Sequence, residues 1–272
     1  MIDMKLYKNL ILTHQNNFSE IIKYASINFL RNTFMINFMP QIVFFKITRG
    51  NIKRIKLVLS KITYPLFFNI ISDKTDQTTL DSIIYLKNNK KIVTLISQNV
   101  PLDFGTLLVN SGVYKVIVPF KNISNFKKSS LKEDFIKKTE QIKNLVQANV
   151  KNEIILEVDI ILKKSALTEL EEICKLFDDA GVERISIKCE SWLNDYERKA
   201  ISRKCKLLSK KYYPKIKFSF LPAYFKNSKI DQNSLVVDEG GYIYKSKNEI
   251  FNNLWIGNVL STPLKGIIRN KK

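Results

Sequence analysis

The 272-residue chain is poor in the residue types on which much enzyme chemistry depends, with one histidine, three cysteines and eight glycines. The single imidazole, His14, precedes a polar, turn-like run, which favours a surface position. Serine–histidine catalysis, cysteine–histidine catalysis and histidine-rich metal sites are therefore not indicated. Neither a G-x-G-x-x-G segment nor a P-loop occurs, which argues against a nucleotide-binding fold.

The three cysteines stand far apart, at Cys174, Cys189 and Cys205, and their spacing is not typical of a metal site. Cys174 shares a helical apolar stripe with Leu170 and Phe177, which predicts that its side chain belongs to the core. The pattern does not imply structural disulfides.

Long apolar runs are also missing. The most apolar stretch, Met35 to Ile47, is interrupted by Asn37, Pro40 and Lys46, which argues against a membrane span. Charged residues break the amino-terminal segment, so it lacks the apolar core of a signal peptide. These absences predict a cytoplasmic protein.

The charge is strongly unbalanced, because 45 lysines and arginines stand against 25 acidic residues and give a formal net charge of +20. A basic face can bind a phosphate backbone. However, 38 of the 45 cations are lysines scattered over every segment, a skew typical of A/T-rich codons. Readers of nucleic acid tend to cluster their charge and to use arginine. A basic nucleic-acid-binding barrel is therefore the third functional hypothesis.

Short β-branched runs alternate with longer amphipathic stretches, which is the signature of βα units around a parallel sheet. The predicted strands are Ile42 to Ile47, Leu66 to Ile71, Ile92 to Ile96, Tyr114 to Val118, Ile154 to Ile161 and Val182 to Lys188. The predicted helices are Asn51 to Lys61, Thr78 to Lys87, Leu102 to Ser111, Ser129 to Ala148, Ser165 to Ala180 and Asp195 to Lys211. The pattern predicts an α/β fold, a six-unit βα partial barrel of the TIM type.

A different pattern follows the sixth unit. One more strand is predicted from Lys215 to Phe220, and a polar linker comes after it. Leu235 to Val237 and Tyr242 to Lys245 then flank Asp238-Glu239-Gly240-Gly241, which is a strong hairpin signal. We therefore divide the chain into an N-terminal segment of unknown role, a barrel and a small C-terminal hairpin module, over residues 1–40, 41–225 and 226–272.

Several segments carry a family resemblance when they are taken in order. Ile47 to Leu57 follows the first strand, and Ser72 to Thr75 follows the second. Val237 to Ser246 and Leu254 to Val259 lie near the C-terminus. In this order the segments resemble radical S-adenosylmethionine (radical SAM) enzymes that carry a SPASM-type C-terminal extension, and the hairpin module is then SPASM-like. The resemblance covers residues 42–268.

The cluster-binding residues of that family are missing. Gly50, Arg54 and Leu57 stand where the resemblance places three cysteines of a four-iron four-sulfur cluster, and Ser246 stands where it places a ligand of an auxiliary cluster. Ser72 to Thr75 replaces the Gly-Gly-Glu-Pro motif that holds the methionine end of the cofactor. An iron–sulfur cluster needs thiolates or equivalent soft ligands. No catalytic, cofactor-binding or metal-binding residue is therefore expected.

The resemblance implies a degenerate, cluster-free pseudo-radical-SAM/SPASM protein. Such proteins are found beside true radical enzymes in Gly-Gly-leader peptide maturation clusters of Bacteroidales-like bacteria. The first functional hypothesis is a non-catalytic partner or scaffold in the maturation of a ribosomally synthesised peptide, binding the maturase, the precursor peptide or both. An exposed edge strand at Tyr242 to Lys245 either accepts an extended peptide by strand addition or is simply an edge of the sheet.

Polar side chains of two neighbouring strands are predicted to point into the barrel lumen: Glu157, Asp159, Arg184, Ser186 and Lys188. They either form an ion-paired plug, since unpaired buried charges are costly, or line an open polar pocket. The second functional hypothesis is a cluster-independent enzyme that uses Glu157, Asp159 or Asp73 as acid or base. For the loop that contains Asp73, the favoured prediction is a turn in which Asp76 or Thr78 caps the next helix.

Overall fold

The computed structural model describes residues 42–48, 50–63, 65–120, 129–151, 153–162, 169–189, 194–212, 217–221, 234–244 and 255–269. The N-terminal segment 1–40, the proposed boundary at residue 226, and the positions of His14 and Ser246 lie outside these stretches. The predictions made for them, including the division into three regions, stay predictions.

Strands and helices alternate in the order that the sequence pattern predicts. The strands are β1 (Ile42–Ile47), β2 (Phe67–Ser72), β3 (Ile92–Ser97), β4 (Lys115–Phe120), β5 (Ile155–Leu162), β6 (Arg184–Cys189), β7 (Lys217–Leu221), β8 (Ser234–Asp238), β9 (Tyr242–Tyr244) and β10 (Gly257–Asn258). The α-helices are α1 (Ile52–Ser60), α2 (Gln77–Asn88), α3 (Gly105–Ser111), α4 (Ser129–Ala148), α5 (Leu170–Asp179), α6 (Asp195–Tyr212) and α7 (Leu264–Arg269). β1 and α4 have the predicted bounds, whereas a 3-10 turn at Leu102–Phe104 precedes α3.

The described strands form one sheet in the order β10-β9-β8-β1-β2-β3-β4-β5-β6-β7. Strands β1 to β7 pair in parallel, each with the next along the chain, as helical crossovers require. Along β5, Leu156, Val158 and Ile160 are buried in the core shared with the helices, while Glu157 and Asp159 alternate with them and are half-buried. We call the face that carries these carboxylates the inner face. The chain is thus α/β and consistent with the predicted partial barrel.

The predicted C-terminal hairpin is present and extends the main sheet. β8 pairs antiparallel with β9 and parallel with β1. β10 pairs with the other edge of β9. The prediction of an exposed edge strand at Tyr242 to Lys245 is therefore wrong for Tyr242 and Ile243, because these two residues pair with the two-residue strand β10. The likeness of the hairpin to a SPASM extension stays a prediction.

Capping residues fix the helix ends next to the sheet. The Asn51 side chain accepts a hydrogen bond from the Lys53 N–H at the start of α1. Asp76 Oδ1 accepts one from the Thr79 N–H at 2.8 Å, so the prediction that Asp76 caps α2 is confirmed. Gly181 follows α5 with a φ of 77°, the left-handed stop that its position predicts. No helix in the described stretches combines the length and apolarity that crossing a bilayer requires.

Candidate functional site

The side chain of a hairpin residue lies at the carboxyl end of β1. Parallel α/β sheets usually bind their ligands at this end of the strands. Glu239 lies in the turn between β8 and β9, and Thr48 follows β1 directly. Glu239 Oε2 accepts a hydrogen bond from the Thr48 N–H at 2.9 Å. Its Oε1 accepts one from the Thr48 hydroxyl at 2.6 Å. We call this pair of hydrogen bonds the Thr48–Glu239 clamp.

Gly50 lies beside the clamp. A Cβ atom at this position would stand 2.8 Å from Glu239 Oε2 and 3.1 Å from Ile55 Cδ1, which is tighter than ordinary van der Waals contact. The missing side chain of residue 50 therefore makes room for the Glu239 carboxylate. Any larger residue there, cysteine included, requires the end of the Glu239 side chain and the Ile55 side chain to shift.

The residues at the predicted cluster positions do not fit an iron–sulfur cluster. Gly50 has no side chain, and Arg54 and Leu57 lie at exposed positions of α1. A guanidinium cation and an aliphatic chain supply no ligand for iron. Within the described stretches, no three His, Cys, Asp or Glu side chains are grouped so that they could hold a metal ion. We therefore assign no reaction step to a cluster at this site.

Two of the three cysteines are buried free thiols, Cys174 on α5 and Cys205 on α6. Burial raises the pKa of Cys174 to about 12, and the neighbouring Cys205 adds to the shift. A thiol that stays protonated at neutral pH is a poor nucleophile and a poor metal ligand. The prediction that Cys174 belongs to the core is confirmed, whereas the side chain of Cys189 lies outside the described part.

The loop after β2, where the resemblance places the cofactor motif, is held by its own hydroxyl groups. The Thr75 hydroxyl donates to Ser97 Oγ at 2.9 Å, and the Ser72 hydroxyl donates to the Lys74 carbonyl at 2.7 Å. The Thr75 N–H donates to the Asn99 carbonyl at 2.9 Å. Ser72, Thr75 and Ser97 are buried. These polar groups therefore bond to each other or to nearby backbone within the protein.

An ion pair lies on the inner face. Lys115 Nζ on β4 and Glu157 Oε2 on β5 are 2.5 Å apart, and their side chains are only 21% and 16% exposed. Two compensated charges in a half-buried position stabilise each other, whereas either one alone would be costly. This pairing favours a plug over a carboxylate prepared for acid–base catalysis.

The structure also locates the other residues predicted to face the lumen. Asp159 and Ser186 are register partners on β5 and β6. Arg184 has the same strand parity as Ser186 and is half-buried, so it shares the inner face. The side chain of Lys188 lies outside the described part. Asp73 is exposed in the loop after β2.

Asp238 organises the turn that carries Glu239. Its Oδ1 accepts hydrogen bonds from the N–H groups of Gly240 and Tyr242 at 2.9 and 3.0 Å. Its Oδ2 accepts one from the Tyr244 hydroxyl at 3.0 Å. Burial, followed by this hydrogen bond, raises the pKa of Tyr244 to about 12. The turn therefore holds Glu239 in a defined direction.

Sequence reasoning does not find two of these contacts. Strand alternation puts Lys115 on the same face as Ile117, but no local signal links it to Glu157 on the next strand. Glu239 is visible in the sequence only as part of a turn motif. Its partner Thr48 is 191 positions away, and only the parallel pairing of β8 with β1 brings the two residues together.

An exposed aromatic pair lies at the hairpin edge of the sheet. The ring centroids of Tyr242 and Trp255 are 5.5 Å apart, and the residues are 38% and 56% exposed. Together with Leu260 they line an open groove beside β10. Exposed aromatic surface of this kind is typical of contacts between proteins.

No protein-family profile and no curated protein sequence matches the chain. Its fold does match solved structures. Streptococcus suis SuiB bound to S-adenosylmethionine superposes with a TM-score of 0.68 at 10% identity, over 92% of this chain and 69% of SuiB. SuiB bound to the precursor peptide SuiA gives the same TM-score and identity, over 92% of this chain and 68% of SuiB. Native anSMEcpe with bound AdoMet gives a TM-score of 0.61 at 8% identity, over 83% of this chain and 80% of that protein.

These matches show that the chain shares the fold of SuiB and anSMEcpe. At 8–11% sequence identity, the matches establish similarity of the fold alone.

Proposed function

We propose that this protein is a cluster-free, non-catalytic relative of radical SAM enzymes that acts as a partner or scaffold in the maturation of a ribosomally synthesised peptide. The observation that carries the proposal is the Thr48–Glu239 clamp. It fills the space beside Gly50, the first predicted cluster position. A radical enzyme of this fold would need a thiolate there.

The peptide context is supported by the similarity of the fold to SuiB, whose structure bound to the precursor peptide SuiA is known. The partner is then a precursor peptide, a true radical SAM maturase or both. The exposed pair Tyr242 and Trp255 supplies aromatic surface for such a contact. The net charge of +20 favours the capture of an acidic partner.

The alternative of a cluster-independent enzyme has less support. Glu157, its first candidate acid or base, is already ion-paired with Lys115. A general base needs a lone pair directed at a substrate proton, and this carboxylate is directed at an ammonium group.

The proposal is tested by measuring the binding of the purified chain to the precursor peptide and to the maturase encoded nearest to its gene. Fluorescence anisotropy measures the peptide, and size-exclusion chromatography detects the maturase complex. We expect at least one of the two to bind. The absence of both complexes at about 100 µM protein, a range that detects weak affinities, would contradict the proposal.

A matched pair of variants tests the binding surface. Trp255→Ala is expected to weaken the complex about tenfold or more, as the loss of an aromatic anchor does. Leu207→Ala, which removes an exposed apolar side chain from α6, is expected to bind as the wild type does. Equal affinities for the two variants would exclude the aromatic pair from the binding surface.

A further inference from the structure

The register of the sheet brings the two ends of the clamp together. Lys46 on β1 pairs with Asp238 on β8, and the two strands run in parallel. Thr48 and Glu239 therefore lie at the same end of the sheet, just beyond the last register pair. The side chain that connects the two segments belongs to the hairpin turn and not to the loop after β1.

The backbone does not require a glycine at residue 50. Among the described residues, the glycines with positive φ are Gly112, Gly181 and Gly241. Gly50 is not one of them, so a residue with a side chain could adopt its backbone conformation. What excludes a Cβ atom at residue 50 is the Glu239 carboxylate at 2.8 Å, together with the Ile55 side chain at 3.1 Å.

The local charges also favour a carboxylate at this point. Gly50 immediately precedes Asn51, the N-cap of α1, and the first turn of α1 contains no acidic residue. A negative charge near a helix N-terminus is stabilising. The hydrogen bonds from Thr48 to a carboxylate are charge-assisted, which makes them stronger than bonds between neutral groups.

We infer that Gly50 and Glu239 form an interlock at the start of the loop between β1 and α1. The glycine admits the carboxylate, and the carboxylate attaches the hairpin turn to the end of β1. A side chain at residue 50 and the clamp are mutually exclusive. This inference does not depend on the proposed function, because it concerns the coupling of two positions in the isolated protein.

A double-mutant cycle in urea tests the interlock with Gly50→Ala, Glu239→Ala and the combined variant. A Cβ at residue 50 forces the carboxylate away, so each single variant loses the same two hydrogen bonds. Each is expected to raise the unfolding equilibrium constant about tenfold, the usual effect of losing a hydrogen bond to a charged group. The combined variant is expected to raise it no further, because the two changes remove one interaction.

Two controls match the two substitutions. Gly266→Ala places a Cβ no closer than 3.4 Å to Thr262 Cγ2, and Glu140→Ala removes an exposed carboxylate from α4. Glu140→Ala is expected to unfold as the wild type does, and Gly266→Ala to be as stable or severalfold more stable, because alanine favours a helix more than glycine does. Additive single effects, which give about a hundredfold change in the combined variant, would overturn the interlock. Wild-type stability of Gly50→Ala would overturn it as well.

Hydrogen exchange at the Thr48 amide gives a second, local measurement. This N–H donates to Glu239 Oε2, so its protection is expected to fall in both single variants. Unchanged exchange at Thr48 in both would contradict the interlock, even if the variants unfold more easily. Neither measurement involves iron or peptide, so a failure of the interlock can be distinguished from a failure of the proposed function.

Discussion

Removing the Glu157 carboxylate is expected to destabilise the fold, because the substitution leaves Lys115 as an uncompensated charge on the inner face. The two side chains are 16% and 21% exposed. Exposed ion pairs contribute about 0–1 kcal/mol, and breaking a fully buried pair costs about 3–5 kcal/mol. The partial exposure of this pair places Glu157→Ala between these limits, at about 2 kcal/mol of unfolding free energy.

Urea unfolding followed by circular dichroism measures this change, with Glu140→Ala on the surface of α4 as the control. The apolar double variant Lys115→Met, Glu157→Leu removes both charges and is expected to recover stability to within about 1 kcal/mol of the wild type. A Glu157→Ala variant as stable as the wild type, or more stable, would refute the reasoning. Such a result would indicate that the wild-type protein keeps the Glu157 carboxylate for a function, at a cost in stability.

Three further predictions concern single side chains. Asp76→Ala removes the cap that accepts from the Thr79 N–H and is expected to cost about 1 kcal/mol in thermal or urea unfolding, whereas the exposed Asp73→Ala changes little. The pKa of Cys174 near 12 predicts slow labelling by a thiol reagent at pH 8 until the protein unfolds, and prompt native labelling at this residue would contradict its buried position. The pKa of Tyr244 rises from 10.0 to about 12 on folding, so its contribution to stability is present below pH 10 and is lost as the pH rises to 12. Between pH 10 and pH 12 the unfolding free energy of Tyr244→Phe is expected to fall less than that of the wild type. An equal fall in both proteins would contradict this prediction.

The parts of the fold that were predictable from the sequence are those that local patterns encode. The alternation along β5 identifies its buried and inner faces, because neighbouring side chains of a strand point in opposite directions. The stops and caps at Gly181 and Asp76 depend on one residue and its immediate neighbours. These features need no knowledge of the rest of the chain.

The site itself depends on contacts between distant segments. No periodicity indicates that β8 pairs with β1, so the meeting of Glu239 and Thr48 was not predictable from either segment alone. Lys115 and Glu157 are partners only because β4 and β5 are neighbours in the sheet. The strand β10 has two residues, which is too short for a pattern, and this explains why Tyr242–Tyr244 was expected to form an exposed edge.

The absence of a cluster at the carboxyl end of β1 is the central claim, and metal analysis tests it most directly. The protein is purified and reconstituted without oxygen, and its iron, its acid-labile sulfide and its ultraviolet-visible spectrum are measured. We predict substoichiometric iron and sulfide and no cluster absorption, because Gly50, Arg54 and Leu57 supply no thiolate. About four irons and four sulfides bound per chain, with the matching absorption bands, would contradict the account.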